Sequence, residues 1–210
     1  MIKKVLENLK KNNMEAYLVE TREEVVPLVE KLLPAGAVVS AGGSVTLAET
    51  GVMELLKSGR YEFLDRARPG ITPEEVQQVY RDTFSADGFF CSANAITQQG
   101  ELVNVDGNSN RISALLFGPE TVIVVAGVNK IVTDAEAGFE RIKRVAAPKN
   151  AVRLGCKTYC RDAGVCVAAE GGLATGCGSK ERICRNYLVS GPQRIPGRIK
   201  VILVNEELGY

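Results

Sequence analysis

The chain contains no histidine and no tryptophan. Without imidazole there is no Ser-His-Asp triad, no imidazole general base and no His-ligated metal. Acid–base and nucleophilic chemistry must fall to carboxylates, Lys, Arg, hydroxyls, amides or thiols. An excess of one charge sign is missing too: 26 basic residues face 25 acidic ones, a formal net charge of +1. That balance calls for neither nucleic acid nor a membrane as partner. No apolar run approaches the ~18 residues of a membrane span. The opening MIKKVLENLKKNNM carries charge without the apolar core of a signal peptide. These absences read as a cytoplasmic protein. The 210 residues, 45% hydrophobic and 24% charged, suffice for one domain with a substantial core.

Cysteine is present and unevenly placed. Cys91 lies in an apolar run and reads as core. Cys156, Cys160, Cys166, Cys177 and Cys184 fall within 29 residues. Clustered thiols without a secretory signal favour metal or redox chemistry over a disulfide framework. Four thiolates suffice for tetrahedral zinc or an iron–sulfur cluster. The spacing matches no standard CxxC knuckle or ferredoxin pattern, so a redox pair and inert thiols stay open.

Elsewhere strands and helices alternate. Residues 1–13 carry an apolar helical stripe (Ile2, Val5, Leu6, Leu9). Residues 16–19 read as a strand, and Thr21 with Glu24 reads as a capping box opening a helix to Leu33. Residues 37–41 form a small-residue strand, followed by Gly42-Gly43-Ser44 and a helix to Lys57. Tyr61 to Leu64 is a strand. Thr72-Pro73-Glu74-Glu75 caps a helix through Phe84. Residues 110–117 and 134–147 are further helices. The segment 148–185 is rich in Gly and Cys with weak periodicity, and a loop of that length is functional or clipped. Residues 187–190 and 199–204 are closing strands. The pattern predicts one α/β domain, a mainly parallel sheet flanked by helices, with a Cys-rich excursion over 154–185.

Three apolar runs between Phe89 and Val125 each end in polar groups: Ser92, Asn94 and Thr97; Asp106, Asn110 and Arg111; Asn129 and Lys130. Ligands of open α/β sheets bind at the carboxyl ends of strands. Turn formation is the plainer explanation of the same residues. Gly42, Gly43, Ser44 and Thr46 follow a strand and offer backbone N–H groups and hydroxyls to an anion, or simply make a turn with Ser44 as cap. Asp106 reads equally as an acid–base group or as the ion-pair partner of Arg111. Lys130 reads as an anion's counter-charge or as a solvated loop lysine. Glu101 is a carboxylate in a turn, a nucleophile or base only if the turn lines a site, and Glu49 has a similar low standing.

These residues also resemble a known family. Ser92-Ala-Asn94-Ala-Ile-Thr97, Leu102-Val-Asn-Val-Asp-Gly107, Asn110-Arg111, Phe117-Gly-Pro119 and Val125-Ala-Gly-Val-Asn-Lys130 are similar to the LUD (lactate utilisation) domain. Gly42-Gly-Ser-Val-Thr46 and the closing residues 198–210 match as well, so the likeness spans nearly the whole chain. It implies the fold shared by ribose-phosphate isomerases, glucosamine-phosphate deaminases and CoA-transferases, where the Gly-Ser-x-Thr loop holds a phosphate or acyl group. It implies work beside iron–sulfur subunits that oxidise lactate to pyruvate. Single-domain relatives carry C-x5-C-x2-C-x6-C. Cys160-x5-Cys166 and Cys177-x6-Cys184 match its halves, whereas ten residues stand here where two are usual, and Cys156 is extra.

The sequence therefore leads to an accessory component of lactate-type organic-acid utilisation that binds a small anionic ligand. Gly42, Gly43, Ser44, Thr46, Asn94, Thr97, Asn110, Arg111, Asn129 and Lys130 would hold the ligand. Asp106 and Glu101 are the catalytic candidates, and Cys160, Cys166, Cys177 and Cys184 the ligands of zinc or an iron–sulfur cluster. A stand-alone enzyme on a sugar phosphate or acyl-CoA, and a metal-binding redox or regulatory protein, are the alternatives. Fold does not choose among them. Iron–sulfur partner subunits and a homo-oligomer are the assemblies compatible with this reading.

Overall fold

The computed structural model describes residues 1–173 and 175–210. In chain order the elements are α1 (Ile2–Lys11), β1 (Glu15–Val19), α2 (Val25–Leu32), β2 (Val38–Ala41), α3 (Val45–Glu49), α4 (Val52–Lys57), β3 (Glu62–Phe63) and α5 (Pro73–Asp82). Then come β4 (Gly88–Cys91), β5 (Ala95–Thr97), β6 (Leu102–Asp106), α6 (Asn110–Phe117), β7 (Thr121–Gly127) and β8 (Ile131–Val132). The chain closes with α7 (Ala135–Arg141), α8 (Ala147–Arg153), α9 (Tyr159–Ala163), β9 (Asn186–Ser190) and β10 (Ile199–Val204).

Six strands make a parallel sheet in the order β1-β10-β7-β4-β2-β3. Its central strands are mostly apolar because both faces are covered, Lys200 on β10 being the charged exception, paired with Glu15. On β7, Val122, Val124 and Ala126 join one core while Ile123 and Val125 join the other. On β10, Ile199, Val201 and Leu203 alternate in the same way with Ile202 and Val204. Helices α1 and α6 cover the first face through Val5, Leu9, Ala114 and Leu115. Helices α2, α3 and α4 cover the second through Val25, Val29, Leu47, Val52 and Leu56. The expected α/β class with a mainly parallel, helix-flanked sheet is what the chain adopts.

Four local expectations need correction. The run Leu102 to Val105 is a strand, but β6 belongs to a second, four-stranded sheet, β8-β5-β6-β9, and pairs antiparallel with β5 and β9. Thr21 makes no capping bond; a 3-10 turn at Arg22–Glu24 precedes α2. Thr72 and Glu75 do form the reciprocal capping box. The helix expected from Val45 to Lys57 breaks at Gly51, whose φ of +72° is costly for other residues.

Pro148 does not open a loop. The helix runs on to Arg153 through a π-helical turn at Ile142–Ala146. Proline has no N–H to donate, and its ring crowds the carbonyl four residues back. A wider turn just before it is a known accommodation. Beyond Leu154 the only helix among the described residues is α9.

Candidate functional site: a cationic cleft at the carboxyl edge

All six strands of the main sheet run in one direction, so their carboxyl ends share an edge. Five of them deliver residues to a single cleft of about 670 Å³. Arg66 follows β3, Gly43 to Thr46 follow β2, Ser92 to Asn94 follow β4, Lys130 follows β7 and Tyr210 follows β10. Asp106, Asn110 and Arg111 enter from the end of β6 and the start of α6. The second sheet therefore brings its polar cluster to the main sheet's edge.

Arg111 is the structural hub. Its guanidinium donates to Ser92 O (3.1 Å), Asn104 Oδ1, Asn94 Oδ1 (3.1 Å) and Val105 O (2.6 Å). These bonds tie the end of β4 to β6. Gly42 belongs to this hub and does not itself line the cleft. A Cβ there would stand 3.0 Å from Arg111 Cδ, so glycine lets the arginine stem pass without crowding. Asp106 accepts from the backbone N–H groups of Asn108, Ser109, Arg111 and Ile112, at 3.0 to 3.3 Å. Arg111 Nε stands 4.0 Å away. A carboxylate engaged this fully organises the loop into α6.

Lys130 is buried, at 2% exposure, not a solvated loop lysine. Its Nζ donates to Thr46 Oγ1 and Ser92 Oγ, each at 2.9 Å. Burial, with Arg141 and Arg111 nearby, pulls its pKa from 10.5 down to about 7. Glu49 and Cys91 oppose that shift weakly. Arg141 is also held in by carbonyls, donating to Asn94 O and Asn129 O, and burial lowers its pKa.

Other expected site residues lie elsewhere. Thr97 and Glu101 bond to each other in the turn between β5 and β6, Thr97 Oγ1 donating to Glu101 Oε2 at 2.9 Å. Neither lines the cleft. Asn129 Oδ1 accepts from Leu208 N, and its Nδ2 donates to Gly209 O. Glu49 Oε2 accepts from Gly209 N. Both residues anchor the terminal segment that carries Tyr210.

The cleft also contains residues that the sequence reading passed over. Arg66 donates to Tyr80 Oη at 2.9 Å, and Arg153 donates to Asn150 Oδ1. Their terminal nitrogens come to 3.0 and 3.6 Å of the point where a Cβ on Gly43 would stand. Neither arginine has an ion-pair carboxylate among the described residues. Lys180, Arg182 and Arg185 line the cleft from the Cys-bearing loop. The lining thus holds seven Lys and Arg against two carboxylates, Asp106 and Glu181. Asp106 is engaged as above, and Glu181 accepts from Lys157 N at 2.6 Å.

All six cysteines are free thiols. Cys91 is fully buried, and burial pushes its thiol up to about 11. Burial also raises the Cys160 thiol; the Thr158 hydroxyl, 3.4 Å from its Sγ, opposes this, while Cys184, Cys177 and Cys166 reinforce it. The other three thiols singled out in the sequence thus lie within electrostatic range of Cys160. All four are the soft donors that zinc and iron–sulfur clusters take. As arranged they are not a closed ligand shell: among the described residues no three Cys, Asp or Glu side chains group around one ion position.

A parallel α/β sheet with a cationic, ligand-sized cleft at its carboxyl edge defines the class. The sequence profile of the LUD domain family matches residues 2–204, and the chain belongs to that family. A DUF162 family protein from Deinococcus radiodurans has a similar structure, with a TM-score of 0.50 at 14% identity, covering 97% of this chain and 95% of that one. That likeness is one of fold. A ribose 5-phosphate isomerase from Plasmodium falciparum aligns over 83% of this chain and 79% of its own, with a TM-score of 0.35 at 12% identity, too slight to bear on function. No curated protein matches the chain. No helix among the described residues is long and apolar enough to cross a membrane.

Proposed function

We propose that the protein binds a small anionic ligand, a carboxylate or phosphate, in the cleft, as an accessory component of lactate-type organic-acid utilisation. The carrying observation is the convergence of Arg66 and Arg153 on Gly43, without ion-pair carboxylates among the described residues, beside the buried Lys130. Lys130 is buried without a paired carboxylate, which is costly, while the half-buried Arg66 and the exposed Arg153 add positive charge at the rim of the same cleft. An anion in the cleft supplies the missing charge, and guanidinium pairs suit carboxylate and phosphate oxygens. The LUD membership supports the organic-acid role, and the cytoplasm is its proposed place of work.

The test is calorimetric titration with inorganic phosphate and with lactate. Arg66→Ala and Arg153→Ala should each weaken binding roughly tenfold, the range of one charge-assisted contact. Their circular dichroism should be unchanged, since neither residue bonds across the core. Wild-type affinity in the double variant would contradict the assignment.

A second reading concerns the thiols, and the observation favouring it is that Cys160 senses the other three. We propose them as zinc or iron–sulfur ligands, a role that requires the loop to draw in around the metal. Protein purified without oxygen should then contain iron or zinc, lost when Cys160, Cys166, Cys177 and Cys184 become Ser. Metal-free protein from that preparation would refute it.

A further inference from the structure

We propose that Lys130 is a reactive amine that takes up an anionic carbonyl compound, of which a 2-oxo acid is the smallest kind, as an imine. The inference rests on the anion-binding reading of the same cleft.

A comparison of the chain's buried lysines carries it. Lys143 is buried at 4% exposure, and its Nζ donates to three carbonyls, Ala168 O, Gly171 O and Gly172 O. Carbonyls only accept, so that nest engages the Lys143 amine wholly as a donor. Lys200, only partly buried, pairs with Glu15 at 2.8 Å. Lys130 lines the cleft, and both its partners are hydroxyls, Thr46 and Ser92. A hydroxyl accepts from an ammonium and donates to a neutral amine equally well. This environment therefore tolerates the form of lysine that attacks carbonyl carbon.

The charged groups around it point the same way. Arg111 on α6 and Arg141 on α7 disfavour the ammonium, while Glu49 on α3 and Cys91 on β4 oppose them weakly. Desolvation and adjacent cations are the established means of activating a lysine nucleophile. Arg66 and Arg153, near Gly43, offer a cationic place for the anionic group of the same molecule.

The step is redox-neutral. The Lys130 nitrogen adds to the carbonyl carbon, and the carbonyl oxygen takes up a proton as the nitrogen loses one, with Ser92 and Thr46 in hydrogen-bonding reach. The carbinolamine then loses water as the C–O bond breaks and the C=N bond forms. Amine and carbonyl give imine and one water.

The test uses the whole protein with pyruvate and cyanoborohydride, which reduces an imine to a stable secondary amine. Intact mass and peptide mapping should find a single pyruvate-derived adduct, on Lys130. Acetone, the uncharged counterpart, should label Lys130 at least roughly tenfold more slowly, the effect of one charged contact. Lys130→Arg keeps the charge and should abolish the adduct, with the fold checked by circular dichroism. No adduct, or adducts spread over exposed lysines as in urea-unfolded protein, would overturn the proposal. Phosphate titration of the same sample separates the two claims: binding without an adduct defeats the amine alone, whereas absent binding defeats the anion reading.

Discussion

Arg111→Ala is expected to destabilise the protein by about 3–5 kcal/mol, the usual cost of breaking a buried charged network from one side. The guanidinium satisfies Ser92 O, Asn104 Oδ1, Asn94 Oδ1 and Val105 O, all at the junction of β4 and β6. Removal strands these acceptors where water has poor access. It also leaves Asp106 without the cation 4.0 Å away, although the carboxylate keeps its four backbone donors. Urea unfolding followed by circular dichroism measures the loss. A variant of normal stability that no longer binds phosphate would show instead that Arg111 is chiefly a ligand group. Because the residue holds two sheets together, lost binding in this variant is a poor test of the cleft; Arg66 and Arg153 are better ones.

Lys130→Met is expected to do the opposite: to stabilise the ligand-free protein while removing anion binding. Replacing a buried ion by an apolar side chain of similar volume commonly gains about 1–4 kcal/mol. The hydroxyls it leaves have carbonyls nearby, Leu208 O for Thr46 and Ala93 O for Ser92. The pH dependence identifies the cause. Lys130 has a folded pKa of about 7 against an ordinary 10.5, so between those values the unfolded chain holds the proton more firmly. The wild type is therefore penalised fully below about pH 7, and the penalty fades as pH rises towards 10.5. The advantage of the Met variant should be larger near pH ~6 than near pH ~9.5 in urea denaturation. An advantage that is constant with pH would mean that packing, not charge, is responsible.

The main sheet was legible because strands buried on both faces are largely apolar runs, as in Val122 to Val125 and, past Lys200, Val201 to Val204. The polar ends of β4 and β7 were legible because Ser, Asn and Lys have no packing reason to follow such runs. Partnership was not legible. The pattern of Leu102 to Asp106 announces a strand but not which sheet it joins, and an antiparallel neighbour leaves no mark on a five-residue run. Arg66 and Arg153 were hidden for a related reason. Each reads as an ordinary surface charge, one in the loop after β3 and one at the end of α8. Only the pairing of β3 beside β2 brings Arg66 to Gly43. The signal that could have found it is positional: in a parallel sheet, the residues that follow every strand fall on the same edge, and Arg66 lies three residues past β3.

Asp106 and Thr97 show that strand-end polarity also has structural uses. Asp106, expected as a catalytic candidate or an ion-pair partner, lines the cleft while accepting from the N–H groups of its own loop, and Thr97, expected as a ligand group, bonds within the β5–β6 turn. Backbone donors at a turn need acceptors as much as ligands do. Sequence alone does not separate those demands.

The most direct test of anion binding in the cleft is calorimetry of lactate, whose carboxylate (ordinary pKa ~4) does not itself titrate near neutrality, across the pH range and in buffers of different ionisation enthalpy. The account predicts that affinity falls as pH rises through about 7, the pKa of Lys130, and that binding just above that pH takes up protons. Binding with no proton uptake at any pH, or none at all in a folded sample, would contradict it.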